Sequence, residues 1–104
     1  MSRLLHLIML TASTAAVVSP AHANQALAKE KSCMGCHGID HKVVGPGYLD
    51  VARKYRGQAG AEARLVEKVL KGGKGVWGPV GMPANTQVDE AQARQLVTWI
   101  LSLK

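Results

Sequence analysis

Cys33-Met34-Gly35-Cys36-His37 contains the only two cysteines of the chain and sets a histidine directly after the second. C-x-x-C-H is the attachment signature of c-type haem. The spacing has a chemical reason. Two thiols add to two vinyl groups along one side of a porphyrin, and cysteines three positions apart on a helical turn reach both. The next residue is then left to project its imidazole onto the iron. The motif is read as one covalent haem c held through Cys33 and Cys36, with His37 as an axial metal ligand. Three other readings use the same residues. A thiol–disulfide oxidoreductase uses C-x-x-C within a βαβ-containing fold. A zinc site wants four ligands, and His37 and His41 stand beside the two cysteines on one short segment. A structural disulfide here would close a loop too small to restrain much of the chain.

The second axial position decides the chemistry. With both positions filled, the iron passes electrons; with one open, it binds gas or peroxide. His41 is four residues past His37, too close to wrap round to the opposite face of a porphyrin. Met34 lies inside the attachment loop. Met82 is 45 residues past His37, ample chain to cross the porphyrin edge, and sits in Gly78-Pro79-Val80-Gly81-Met82-Pro83. An irregular Gly/Pro loop can hold a thioether over a ring, although methionine more commonly fills a core. Met82 is the candidate second ligand. A His/Met pair raises the reduction potential.

These residues need elements to position them. Arg3, an apolar run over Leu4–Val18, Pro20 and Ala21-His22-Ala23 form the three-part pattern of a secretory signal peptide with an A-x-A cleavage site. The 15-residue run is short of the ~20 residues that span a bilayer as a helix, although an uncleaved anchor is the other reading of this segment. Residues 1–23 are therefore expected to be removed, leaving one domain, 24–104, without stable membrane insertion. That chain is small for a self-sufficient core, so a buried cofactor is expected to fill its middle. Residues 25–35 hold helix formers. Tyr48, Val51, Ala52 and Tyr55 make a short amphipathic stripe, and Leu65, Val66, Val69 and Leu70 a second. Ala93, Leu96, Val97, Ile100 and Leu101 make the clearest stripe, opened by the capping-box pattern Asp89-x-x-Gln92. Sustained period-two alternation is absent, so the fold class is all-α, with an irregular stretch from about Gly72 to Val88. The glycines at 45–47, 72–75 and 78–81 suggest backbone lying close to a bulky body.

Residues 24–104 resemble the small bacterial class I cytochromes c of the cytochrome c-551 type. The resemblance rests on Cys33-Met34-Gly35-Cys36-His37, Val44-Gly45-Pro46, Gly57–Ala63, Gly75-Val76-Trp77-Gly78-Pro79, Met82-Pro83, and Trp99 in the last helix. It implies a compact fold of about four helices wrapped round one haem, with His37 and Met82 axial. It implies that the Pro46 carbonyl accepts from His37 Nδ1, that the Trp77 indole N–H meets a haem propionate, and that Asn85 orients the Met82 thioether. Lys68 stands where relatives often carry an arginine reaching the inner propionate, and lysine lacks the planar fork. Gly81 replaces a proline found in some relatives, and Asn85–Val88 is one residue longer than the resemblance leads one to expect.

The implied function is a soluble one-electron carrier in the periplasm. Its donor would be a respiratory enzyme such as a quinol–cytochrome c reductase. Its acceptor would be a terminal reductase or oxidase: nitrite reductase, cytochrome c oxidase or cytochrome c peroxidase. The alternative is a haem protein with a labile sixth ligand acting as a peroxidase or gas sensor. The net charge of +6 is too modest, in an exported haem protein, to argue for nucleic acid. Lysines near the haem edge, mixed with apolar side chains near Val80 and Met82, would steer the protein to acidic surfaces of redox partners. Lys29, Lys31, Lys42, Arg53, Lys54, Arg56, Lys71, Lys74 and Lys104 are expected to be exposed, and a monomer is expected.

Overall fold

The computed structural model describes residues 9–15 and 20–104, with side chains from Asn24 onward in the second stretch. Residues 1–8 and 16–19, which hold much of the expected export signal, lie outside the described residues. Residues 9–15 form no regular element, and Met9 and Leu10 are exposed. Four helices follow: α1 (Pro20–Glu30), α2 (Tyr48–Tyr55), α3 (Ala61–Lys71) and α4 (Glu90–Ser102). A 3-10 turn, Cys33–Gly35, lies between α1 and α2. The described residues contain no strand, only the isolated antiparallel bridges His37–Lys42 and Gly73–Met82. None of the described helices is long and apolar enough to cross a membrane.

The last helix organises the others. Ala93, Leu96, Val97 and Ile100 recur at helical spacing and are buried, as is Trp99, and α4 packs against each of α1, α2 and α3. Its start is fixed locally. The Gln92 amide donates to Asp89 Oδ1 at 2.8 Å, and the Asp89 amide donates to Gln92 Oε1 at 3.1 Å. Val88 and Ala93 occupy the staple positions on either side of this box, and both lie in the core. At the other end, Arg56 donates from Nε to the Leu101 carbonyl at 3.3 Å and from Nη2 to the Leu103 carbonyl. A cation here also complements the negative end of the helix dipole.

The shorter helices depend on that packing. Eight residues are too few for α2 to persist alone, and it is held by Tyr48, Val51 and Ala52 buried in the core. Tyr55 is only half-buried. Glycines stop α2 and bound α3: Gly57, Gly60 and Gly72 all have positive φ, which L side chains adopt at a cost.

The first helix departs from expectation at both ends. It reaches back to Pro20, five residues before the expected start near residue 25, and proline is a residue that the first turn of a helix tolerates. It stops at Glu30, because Ser32 takes φ 65°, the only non-glycine among the described residues with positive φ. Lys31, expected to be exposed, is half-buried beside this break.

Removing the cap should be felt by the whole bundle. Asp89→Ala is expected to cost about 1 kcal/mol and to lower the midpoint of thermal unfolding by roughly 4–8 °C. Circular dichroism melts of the two proteins check this; an unshifted midpoint would mean that α4 does not depend on its cap.

Candidate functional site

The break at Ser32 turns the chain into the attachment motif. The amides of Cys36 and His37 both donate to the Cys33 carbonyl, at 3.2 and 3.1 Å. Positions three apart in a 3-10 turn eclipse one another, so Cys33 and Cys36 can serve one edge of a ligand. Both thiols are free; Cys33 is half-buried and Cys36 exposed. Burial pushes the Cys33 thiol up, partly opposed by its hydrogen bond with Tyr48. Reactive redox cysteines have the opposite shift. The described residues also lack any strand from which a βαβ unit could be built, and hold no cluster of three or more His, Cys, Asp or Glu suited to a metal ion.

His37 is locked on several sides. Its Nδ1 lies 2.7 Å from the Pro46 carbonyl oxygen. A carbonyl only accepts, so Nδ1 carries the proton and donates, which leaves the Nε2 lone pair for a metal. The returning loop is tied by Val44 and Gly45 amides donating to the Cys36 carbonyl, at 3.1 and 2.7 Å. Gly45 lies so close to the imidazole that a Cβ would sit 2.6 Å from His37 Cε1. Tyr48 stacks on the ring with centroids 4.8 Å apart and planes 19° from parallel. Tyr48 in turn meets Trp99 of α4 edge-on at 5.7 Å. Burial and the neighbouring Cys33 raise the Tyr48 hydroxyl well above its usual range, so it remains a donor. His41, by contrast, faces solvent: its Nδ1 pairs with Asp40 Oδ1 at 2.8 Å, which holds the Asp40 carboxyl below its usual range.

Met82 arrives from the other half of the chain. Gly73 and Met82 exchange both backbone hydrogen bonds, at 3.0 and 2.7 Å. Gly72 has no room for a Cβ against the Met82 carbonyl, so only glycine lets the two segments meet. Gly75 and Gly78 differ. They have positive φ with open space around them, so they serve the turn rather than a close approach. Two residues past Pro83, Asn85 anchors the segment to the end of α3, its backbone amide and its Nδ2 both donating to the Val69 carbonyl, at 3.2 and 2.8 Å. Its Oδ1 accepts from Gln87 Nε2 at 3.0 Å. Its backbone carbonyl accepts from the Val88 amide at 3.3 Å, and no hydrogen bond of Asn85 among the described residues goes to Met82.

His37 and Met82 line one cleft, together with Cys33, Cys36, Pro46, Lys68 and Trp77. It encloses about 1270 Å³ of space between the atoms, part of it open to solvent. Its walls are mostly apolar, and Val44, Val76, Trp77 and Val80 on them are between 42% and 65% exposed. The lysines 42, 68 and 74 lie on the same cleft, and no acidic residue does. Lys68 packs over Gly73 and has no carboxylate partner among the described residues. Lys54 Nζ lies 5.6 Å from the Trp77 ring centroid, within cation–π range.

A haem fits these residues. Two free thiols stand on one turn, an imidazole is held in a ligating tautomer, a thioether lies on the same cleft, apolar walls suit a porphyrin, and cations without partners suit its propionates. Asn85 is the expected site residue that does not line the cleft. Three contributors are missing from the sequence reading: Tyr48 as the support of the His37 ring, Lys54 over Trp77, and Gln87 on Asn85. The sequence marks Tyr48 as core and Lys54 as exposed, but pairs neither with its partner.

Comparison with known proteins gives the family of the chain. The family model described as Cytochrome c matches residues 21–104. The chain is 52% identical over 93 residues to cytochrome c-551 of Allochromatium vinosum, covering 88% of this chain and 99% of that protein. It is 54% identical over 82 residues to cytochrome c-552 of Hydrogenobacter thermophilus, covering 79% and 83%. The crystal structure of Nitrosomonas europaea cytochrome c552 superposes with a TM-score of 0.75 at 44% identity, over 77% of this chain and 99% of that one. The chain therefore belongs to the Cytochrome c family as a small class I c-type cytochrome of the c-551 type, an electron carrier and not an enzyme, with one haem c bound through Cys33 and Cys36.

Proposed function

We propose that this cytochrome is an exported, soluble, monomeric carrier of the periplasm whose iron is closed by His37 and Met82. It takes single electrons from a respiratory donor such as a quinol–cytochrome c reductase. It delivers them to a terminal reductase or oxidase, of the nitrite reductase, cytochrome c oxidase or cytochrome c peroxidase kind. The observation that carries this reading is the meeting of His37 and Met82 on one cleft, each tied to backbone within its own loop.

Haem c supplies a one-electron couple. The protein's part is to keep the coordination the same in both oxidation states. The Pro46 carbonyl fixes the His37 ring and strengthens Nε2 as a donor. The paired hydrogen bonds with Gly73 hold Met82 in place, and the thioether favours the ferrous form. Lys68 and the Trp77 indole N–H are the donors we assign to the propionates. A carboxylate in an apolar cleft needs such partners. Lys68 offers this as a point charge rather than a fork. We assign Asn85 the role of orienting Met82.

A labile sixth ligand fits the cleft less well. Peroxide chemistry needs an acid–base group on the distal side, and His41 lies off the cleft, paired with Asp40. Export is supported by the A-x-A pattern at Ala21-His22-Ala23. Association with acidic redox partners is supported by Lys42 and Lys74 standing beside exposed Val44, Val76 and Val80.

Two outcomes follow from this reading. Met82→Ala keeps covalent haem but lowers the reduction potential, loses the weak sulfur-to-ferric-iron absorption band and opens the iron to added ligands. Voltammetry and an absorption spectrum check this; an unchanged potential with the band intact rules Met82 out. Reversing two charges, Lys42→Glu with Lys74→Glu, slows association with an acidic redox partner by roughly tenfold at low ionic strength. The difference should vanish at high salt. Stopped-flow rates across a salt series measure it, and equal rates at low salt would remove the steering role.

A further inference from the structure

Gln87 lies in the turn between Met82 and α4 and is exposed, yet both hydrogens of its side-chain amide are engaged. Its Nε2 donates to the Lys31 carbonyl at 3.0 Å and to Asn85 Oδ1 at 3.0 Å. Side-chain amides are often ambiguous in orientation, because oxygen and nitrogen look alike. Here both ends of the chain of bonds are backbone carbonyls, which only accept. Lys31 O therefore requires the nitrogen of Gln87, and Val69 O requires the nitrogen of Asn85. That leaves Asn85 Oδ1 facing the second Gln87 hydrogen. One Asn85 Nδ2 hydrogen goes to Val69, and the other is uncommitted among the described residues.

The tie joins two halves of the site. Lys31 is two residues before Cys33, and Asn85 is three residues after Met82. Asn85 Oδ1 accepts no other hydrogen bond among the described residues, so without Gln87 the Asn85 side chain is held by the Val69 carbonyl alone and the loop loses its link to Lys31.

We infer that Gln87 is a positioning residue for Met82. It fastens the Met82 loop, through Asn85, to the turn that carries Cys33, and so limits how far Met82 can move from the cleft. This rests on the reading of Met82 as the second axial ligand. The role depends on donation: a carboxylate at position 87 would face two oxygens, whereas a lysine ammonium has the reach and the hydrogens to bridge them.

The test uses the ferric holoprotein, imidazole as the competing ligand, and the sulfur-to-iron band as the report on Met82. Gln87→Glu is expected to raise imidazole affinity by about 10-fold, the scale of one lost hydrogen bond. Gln87→Lys is expected to stay within about 2-fold of the parent, because both bonds are remade. Thermal unfolding is followed alongside. A Gln87→Glu protein that melts lower but binds imidazole as the parent does has lost only a structural tie, and the inference fails. It fails equally if Gln87→Lys behaves like Gln87→Glu. A parent protein that lacks the band, or binds imidazole as readily as Met82→Ala, overturns Met82 ligation itself and this inference with it. A parent with the band and an unaltered affinity in Gln87→Glu overturns the role of Gln87 alone.

Discussion

The hydrogen bond from His37 Nδ1 to the Pro46 carbonyl sets the course of the first half of the chain. To make it, the ten residues after Cys36 must leave the attachment turn and return to it. The return is possible because Gly45 has no Cβ to strike the imidazole and Gly47 none to strike the His41 backbone. The loop closes with Val44 and Gly45 bonded to the Cys36 carbonyl, and α2 starts at once with Tyr48. That start puts the phenol ring on the imidazole, and the edge-on contact with Trp99 carries the same constraint into α4. The imidazole is therefore coupled to the packing of the last helix through two aromatic contacts, and the tautomer that frees Nε2 follows from the fold.

The second half solves the same problem with different means. Met82 belongs to no helix, so its backbone hydrogen bonds must be found elsewhere. Gly73 supplies both, and glycine at 72 permits the approach. Asn85 then fastens the loop to Val69 on α3, and α3 packs on α4. The segments that carry His37 and Met82 thus lean on different helices, face one cleft and are tied to each other outside it through Gln87. The cleft walls keep apolar side chains partly exposed, surface that the bundle alone leaves uncovered. Covering it with a porphyrin adds burial that a chain of this size needs.

What the sequence revealed, and what it hid, divides along local and tertiary lines. The stripe and cap of α4 are visible because period 3.6 and the Asp89–Gln92 box act within four residues. The cofactor is visible because five consecutive residues carry its chemistry. The reach of α1 back to Pro20 is hidden because proline has two meanings, a breaker inside a helix and a tolerated residue in its first turn. The left-handed Ser32 is hidden too, since serine carries no signal for positive φ. Tyr48 has the spacing of a core residue, and nothing in spacing says that its face meets an imidazole. Gln87 sits 56 positions from the carbonyl it bonds, a pairing only the folded chain creates. The glycines divide in the same way: at 45 and 72 they answer a close approach, at 75 and 78 a turn, and composition cannot tell the two apart.

The distribution of charge completes the physical case for a carrier. Asp50, Glu67 and Glu90 each pair with a cation on their own helix, Arg53, Lys71 and Arg94. Exposed pairs of this kind add little stability, on the order of 0.5 kcal/mol each. Their larger effect is to neutralise the field over the helix faces away from the cleft. The lysines 42, 68 and 74 have no such partners among the described residues and lie on the cleft. Three cations without carboxylate partners thus stand where the apolar rim of Val44, Val76 and Val80 is exposed. Long-range attraction orients an acidic partner toward this side, and the uncharged rim limits the strength of the final contact. A carrier needs both, because it must find its partner quickly and leave it soon after the electron has passed.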